Sequence, residues 1–183
     1  MADSNAFVRF VAARLDLTEA QLPDPNRVND AGNTLGAICV RLGLLTIMEI
    51  DEAIEYVHRN HNAVLATLKQ DGSPQLSPVT VGVDAEERVT ISTRQTAYKV
   101  RHVRRDPRVW LCVFPPGFYG QWVQLEGTAE IVELPEAMDG LIAYYRGISG
   151  EHPDWDEYRA AMERDQRLLL RITVTKAGPT VSG

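Results

Sequence analysis

The chain has 183 residues and a mass of 20.4 kDa, which suits one ordinary domain with an appended segment. Hydrophobic residues make up 44% and charged residues 24% of the sequence, a balance that excludes general disorder and is typical of a folded, soluble protein. The net charge of −6 argues against nucleic-acid binding, because binding to a duplex requires a basic surface. No apolar run is long enough to span a bilayer and no signal-peptide core is visible, so we expect a cytoplasmic protein without membrane contact.

The cysteines and histidines do not indicate a metal site. Cys39 and Cys112 both lie in apolar stretches and belong to no paired-cysteine motif, which predicts reduced, buried thiols. His58 and His61 are three residues apart, but no third ligand follows at a diagnostic spacing. We therefore expect no bound metal.

The sequence divides near residue 46. Residues 5–15 have helical periodicity and are followed by a loop rich in Pro, Asn and Asp, so residues 1–46 are predicted to form an N-terminal helical extension. Residues 47–178 are predicted to form the main domain. It opens with an amphipathic helix over residues 47–59, whose apolar face contains Ile50, Ala53, Ile54 and Val57.

From residue 62 onward the pattern is one of short strands. Strands are predicted over residues 63–69, 74–83, 88–93, 108–114, 122–134 and 168–175, with helices over residues 96–105, 135–147 and 154–165. The Asp-Gly pair at residues 71–72 predicts a hairpin, and Gly127 predicts a bulge or bend in a long strand. Because strands and helices do not alternate, the pattern favours a mostly antiparallel barrel with helices outside it, an α+β fold.

The segment from Arg94 to Arg108 carries six of the chain's 19 Lys and Arg residues. It passes from a strand through Ser and Thr into a helix, and a helix N-terminus offers free N–H groups to an anion. Arg94 and Lys99 would add charge-assisted donors for a phosphate. The helix would dock through Val100 and its apolar neighbours, leaving Lys99 and His102 on another face. The alternative is a solvated basic helix face.

Two acidic features have both a catalytic and a structural interpretation. His152, Asp154, Asp156 and Glu157 cluster before a helix, where helix capping and complementarity to the helix dipole explain them more simply than catalysis. Glu126 lies in a predicted strand and is either a proton donor or, as we favour, a charge on the solvated side.

The order of AVLATLKQDGSPQLSPV (63–79), TISTRQTAYKVRHVRRDPRV (90–109) and WVQLEGTAEIVE (122–133) resembles the pyridoxamine-phosphate-oxidase-like family. The stretch AYYRGISGEHPDWDEYRAAMERDQRLLLRI (143–172) resembles its actinobacterial branch, which depends on coenzyme F420. The resemblance implies a split β-barrel of the FMN-binding type. It also implies a homodimer with the cofactor groove at the interface between subunits.

The resemblance also implies which residues contact the cofactor. Its phosphate would meet the corner between strand and helix, with Lys99 at the position of the family's phosphate-binding lysine. The strand after the hairpin would run beside the ring system, and Trp122 either reaches the groove from the other subunit or is an ordinary barrel aromatic. The implied cofactor-binding residues are Gln75, Ser77, Val79, Ser92, Thr93, Arg94, Lys99 and Trp122.

The implied function is an F420-dependent oxidoreductase that passes a hydride from the reduced deazaflavin to a small conjugated acceptor. Pro78 and Ala97 depart from residues that relatives often carry, namely an amide side chain and a second arginine, so FMN remains an alternative cofactor. A second alternative is a non-catalytic protein that binds a flavin, a deazaflavin or a haem-like tetrapyrrole. No catalytic side chain stands out, because the cofactor itself carries the redox chemistry.

Overall fold

The computed structural model describes residues 50–117 and 119–182. The predicted extension over residues 1–46, including Cys39, lies outside them. Four helices and seven strands follow one another in this part of the chain: α1 (Ile50–Arg59), β1 (Asn62–Leu68), β2 (Pro74–Thr80), β3 (Gly82–Val83), β4 (Val89–Arg94), α2 (Tyr98–Arg105), β5 (Arg108–Phe114), β6 (Gln121–Val132), α3 (Met138–Ser149), α4 (Trp155–Arg164) and β7 (Arg167–Ser182).

The strands form one antiparallel sheet in the order β2-β1-β5-β6-β7-β4-β3. Although β2 and β4 lie near opposite ends of this order, they contact each other, so the sheet curls into a half-barrel. The predicted mostly antiparallel barrel with outer helices is confirmed. No helix of residues 50–117 and 119–182 is both long and apolar enough to cross a membrane.

The inward faces of the strands form the main core. In β1 and β5 buried and partly buried residues alternate, as expected for strands with one face on a core. Leu65, Leu111 and Leu125 are each at most 1% exposed, so each contributes about 1.5–3 kcal/mol by burial. Helix α1 packs on this core through Ala53, Ile54 and Val57 as predicted, whereas Ile50 is exposed.

The segment predicted as a single strand over residues 74–83 is two strands. β2 pairs with β1, whereas β3 pairs with β4 at the other edge of the sheet. The break falls at Val81, whose N–H donates to the His61 carbonyl at 2.8 Å. The alternation of residue types is the same in one continuous strand and in two successive strands that pair with different partners. The sequence pattern therefore did not predict this change of partner.

Both turn predictions in the sheet are confirmed. Gly72 has a φ of +81° in the hairpin between β1 and β2, where the Lys69 N–H donates to the Ser73 carbonyl at 2.9 Å. The register of β6 against β7 shifts between Glu126 and Gly127, which is the predicted bulge. A Cβ on Gly127 would lie 2.4 Å from the Thr173 carbonyl oxygen, so only glycine fits without displacement.

Helix α2 docks through Val100 and Val103, which are 0% and 4% exposed. The expectation that His102 lies with Lys99, on another face of the helix than the docking residues, is wrong. His102 is 8% exposed, and its Nδ1 lies 3.0 Å from the Thr67 hydroxyl in β1. The helix is buried on a second side because the end of β1 packs there, which helical spacing alone does not reveal.

Helices α3 and α4 form a smaller second core around Leu141, Ile142 and Leu169. The capping interpretation of the acidic cluster is confirmed. Asp154 is the N-cap of α4, and its carboxylate accepts hydrogen bonds from the N–H groups of Asp156 and Glu157, both at 3.0 Å. These bonds satisfy donors that a helix otherwise leaves without partners.

Candidate functional site

A groove of about 630 Å³ opens beside the place where β2 and β4 approach each other. Residues 78–80 of β2 line one side, and Ser92 and Thr93 line the end of β4. Lys99, in the first turn of α2, closes that end. The groove therefore contains the corner between strand and helix that the sequence singled out.

Lys99 is the main positive charge at this corner. Its side chain is partly buried, and desolvation by burial lowers the pKa of its amine. Within residues 50–117 and 119–182, no carboxylate forms an ion pair with it and no side-chain acceptor takes its hydrogen bonds. A partly desolvated ammonium group without a counter-charge favours an anionic ligand.

The start of α2 adds further donors. Its N-cap residue is Ala97, which has an extended backbone and no side chain able to cap the helix. The N–H group of Val100 donates to the Ala97 carbonyl at 3.0 Å, so in the first turn the N–H groups of Tyr98 and Lys99 remain available among the described residues. The positive end of the helix dipole lies at the same place. Thr93, only 6% exposed, brings a hydroxyl to this end of the groove.

Tyrosines of α3 and α4 form the opposite wall. The Tyr144 hydroxyl donates to the Thr80 carbonyl at 3.0 Å, and burial raises the pKa of Tyr144 to about 12, so the phenol stays protonated. Tyr145 and Tyr158 meet edge to face with ring centroids 5.2 Å apart, and the Tyr158 hydroxyl donates to the Leu141 carbonyl at 2.9 Å. The aromatic wall is held by these contacts before any ligand binds.

The two arginines beside the groove share one carboxylate. Arg94 Nη2 donates to Asp165 Oδ2 at 3.0 Å, and Arg167 Nε lies 3.7 Å from the same oxygen. The hydrogen bond from Arg94 is the main cause that lowers the pKa of Asp165. Arg167 lines the groove, and its buried Nε has no hydrogen-bond partner in the described part of the chain.

The structure brings together half of the eight cofactor-binding residues that the resemblance implied. The four that line the groove are Val79, Ser92, Thr93 and Lys99.

The other four lie elsewhere. Gln75 lines a separate pocket on the other side of α2, and Arg94 pairs with Asp165 outside the groove lining. Ser77 is partly buried in β2 without lining the groove. Trp122 is partly buried in β6 and pairs in register with Val181 of β7.

The aromatic wall and Arg167 could not be recognised from the sequence pattern. Tyr144 and Tyr145 lie in the AYYRG motif and Tyr158 lies in the next helix, and these spacings read as ordinary amphipathic helices. Glu126, the other acidic candidate, lies outside the groove lining and contacts Lys176 with 3.3 Å between Oε1 and Nζ. The interpretation as a surface charge therefore holds for Glu126.

The curled antiparallel barrel with this groove is a split β-barrel of the FMN-binding type. The family described as pyridoxamine 5'-phosphate oxidase matches residues 50–180. The chain therefore belongs to the pyridoxamine 5'-phosphate oxidase family, as its sequence motifs suggested.

Several solved structures have the same fold. A conserved hypothetical protein from Mycobacterium tuberculosis is 26% identical over 75% of this chain and 86% of its own, with a TM-score of 0.62. An F420 reductase is 20% identical over 68% of this chain and 94% of its own, with a TM-score of 0.54. A heme storage protein from Vibrio cholerae is 16% identical over 74% of this chain and 98% of its own, with a TM-score of 0.56.

Proposed function

We propose that the groove binds a flavin-type cofactor through its phosphate, with coenzyme F420 as the leading candidate. The protein is then an oxidoreductase that passes a hydride to a small conjugated acceptor. The observation that carries this proposal is Lys99, a partly buried cation at the end of the groove that no carboxylate in the described part of the chain neutralises.

The phosphate end of the ligand would lie at the start of α2. Lys99 supplies a charge-assisted donor, the uncapped first turn of α2 supplies backbone N–H groups, and Ser92 and Thr93 supply hydroxyls. Arg94 is the weaker candidate of this group, because Asp165 already occupies its guanidinium. It would serve by holding the corner rather than by contacting the phosphate.

The ring system would lie between β2 and the aromatic wall. The groove volume of about 630 Å³ falls within the range of about 300–1,000 Å³ typical of cofactor sites. Val79 offers an apolar edge on one side, and Tyr145 and Tyr158 offer aromatic rings on the other. Gln75 and Ser77 point to the same side of β2 as Val79, since every second residue does so. We retain Ser77 as a candidate contact of the ring system, whereas Gln75 lines the separate pocket.

One observation favours F420 over FMN: the aromatic wall comes from residues 143–172, the stretch whose sequence resembles the F420-dependent branch. An F420 reductase and an FMN-binding protein both share the fold, so the fold does not separate the two cofactors. The reduced cofactor would supply the hydride, which carries both electrons, and solvent would supply the proton that completes the reduction. The task of the chain is then to bind, to orient and to exclude water from the groove.

We also propose that a second copy of the chain completes the groove. Barrel edges without a partner strand tend to be covered by association, and Trp122 lies outside the groove of its own chain, where it could reach a neighbour's groove. Light scattering should give about twice the chain mass. A monomer that binds cofactor at full strength would contradict this arrangement.

A non-catalytic tetrapyrrole-binding protein is the second candidate, since the heme storage protein has the same fold. The described residues that line the groove include tyrosines and a methionine but neither histidine nor cysteine, so the commonest axial ligands of haem are not among the residues of this lining. The visible spectrum of the purified protein separates the candidates, because haem gives a Soret band and F420 and FMN differ in their visible bands and fluorescence.

The proposal is tested by titrating the apo-protein with F420 and with FMN, followed by Lys99→Ala. Losing a charge-assisted hydrogen bond costs about 1.5–3 kcal/mol, which is an affinity loss of about 10- to 150-fold. The matched control is Arg104→Ala, on the same helix but paired with Glu133 at the surface, and it should bind normally.

Turnover is then measured with each reduced cofactor against quinones, tetrapyrroles and enones. Wild-type affinity in the Lys99→Ala protein would overturn the phosphate assignment. Tight cofactor binding without turnover of any acceptor would favour a carrier or storage function.

A further inference from the structure

The six cations from Arg94 to Arg108 divide into paired and unpaired groups. Three are paired with carboxylates: Arg94 with Asp165, Arg104 with Glu133, and Arg108 with Asp106. Lys99 lines the groove. The remaining two, Arg101 and Arg105, form no ion pair with a carboxylate in the part of the chain that the structure describes, although the charge of Arg105 helps to lower the pKa of Asp106. The whole sequence carries 25 acidic residues against 19 basic ones.

These two arginines line a second pocket, of about 480 Å³, between α2 and the hairpin that joins β1 and β2. Lys69 of the hairpin is a third cation in its lining, and Gln75 contributes a neutral amide. Of residues 50–117 and 119–182, no carboxylate lines this pocket, and none lines both this pocket and the groove that contains Lys99.

Two of the cationic side chains are held in place. Arg105 donates a hydrogen bond from Nη2 to the Leu68 carbonyl at the end of β1, and the guanidinium of Arg101 lies 5.5 Å from the centroid of the Tyr98 ring. Part of the entropy cost of ordering long side chains around a ligand is therefore already met. Neither contact supplies a negative charge.

A buried histidine borders the same pocket. His102 is 8% exposed, its Nδ1 lies 3.0 Å from the Thr67 hydroxyl, and its Nε2 has no hydrogen-bond partner among the described residues. Burial lowers the pKa of this imidazole most, and the positive charges of Arg105, Arg101 and Lys69 lower it further. The three cations thus repel any further positive charge in the pocket, and a bound anion would reduce this electrostatic repulsion.

We propose that this pocket is a second anion-binding site, built for a compact dianionic oxyanion of the phosphate monoester class. Arg101, Arg105 and Lys69 supply the charge and most of the donors, and Gln75 adds an amide N–H. The site does not depend on the cofactor proposed for the groove, because the two linings have no described residue in common.

The test uses the full chain and follows the His102 imidazole by NMR during titration with glycerol phosphate, with inorganic phosphate as a second probe. Saturable shifts at His102 are expected, together with a higher His102 pKa in the complex, because the bound dianion offsets the three neighbouring cations. Sodium chloride at matched ionic strength should produce neither effect. Equal shifts with chloride would show that the His102 signal responds to general ionic screening rather than to a bound phosphate, and this result would overturn the proposal.

Variants separate this pocket from the groove. Lys69→Gln, at an exposed hairpin position, should weaken phosphate binding about tenfold or more while leaving the fold intact by circular dichroism. Arg101→Gln should do the same, and Arg104→Gln, whose arginine is paired with Glu133, should bind like wild type.

Lys99→Ala should also leave the His102 shifts unchanged. Loss of those shifts in Lys99→Ala would mean that phosphate binds only in the groove, and it would overturn the second site without affecting the proposed function. Unchanged affinity in both Lys69→Gln and Arg101→Gln would overturn it as well.

Discussion

Gly127 sits at the bulge of β6, and replacing it with alanine tests whether that bulge is required. A Cβ at this position would lie 2.4 Å from the Thr173 carbonyl oxygen and 3.0 Å from Ile172 Cγ2. The first contact is with backbone, which cannot rotate away as a side chain can. Either β6 or β7 must therefore shift, and these two strands share the longest ladder in the sheet.

The cost follows from the size of that overlap. Forcing one extra carbon into a packed site typically costs about 1–3 kcal/mol, and contact with backbone places Gly127→Ala toward the upper end. Each kcal/mol lowers the Tm of a domain of this size by about 4 °C. We therefore expect Gly127→Ala to melt about 4–12 °C below wild type.

Gly147→Ala is the matched control, because it adds the same methyl group in α3, where nothing lies within 4 Å of the new Cβ. Alanine is a better helix former than glycine by about 0.5–1 kcal/mol, so this variant should be equally or more stable. Thermal melts and urea denaturation of both variants measure the difference. Wild-type stability in Gly127→Ala would refute the steric reasoning and show that the bulge accommodates a side chain.

Two further predictions concern charged side chains. Asp154→Ala removes the acceptor for two backbone N–H groups at the start of α4 and should lower the free energy of unfolding by about 0.5–2 kcal/mol, as measured in urea; no loss would mean that water replaces the cap. Hydrogen bonds from Arg108 lower the pKa of Asp106 to about 2. Their contribution to the stability of the folded state is therefore fully present above the ordinary carboxyl pKa of about 4 and is lost as the pH falls toward 2. Arg108→Gln removes the guanidinium but keeps the backbone N–H that also donates to Asp106, so it should return the Asp106 pKa part of the way to its ordinary value in an NMR pH titration. An unchanged low value would exclude the Arg108 side chain as the main cause.

Local signals in the sequence predicted most elements of the described chain. Asp-Gly at residues 71–72 predicted the hairpin, Gly127 the bulge, and Asp154 a helix cap, because each acts through the backbone of its immediate neighbours. The alternation in β1 and β5 predicted a sheet with one face on a core. Family motifs placed Lys99 at a phosphate corner, and the structure places it in the groove.

The other features depend on contacts between residues that are distant in the sequence, and only the tertiary structure shows them. Arg94 pairs with Asp165, which is 71 residues away, and Arg104 pairs with Glu133, which is 29 residues away. The register of the sheet and the docking of the helices therefore determine which cations are neutralised by a carboxylate and which line a pocket. The change of partner at Val81 and the burial of His102 against Thr67 arise in the same way. A sequence pattern indicates which residues could face a core or a ligand. It does not indicate which residue each of them will contact across the sheet, because that contact forms only when strands distant in the sequence pair with each other.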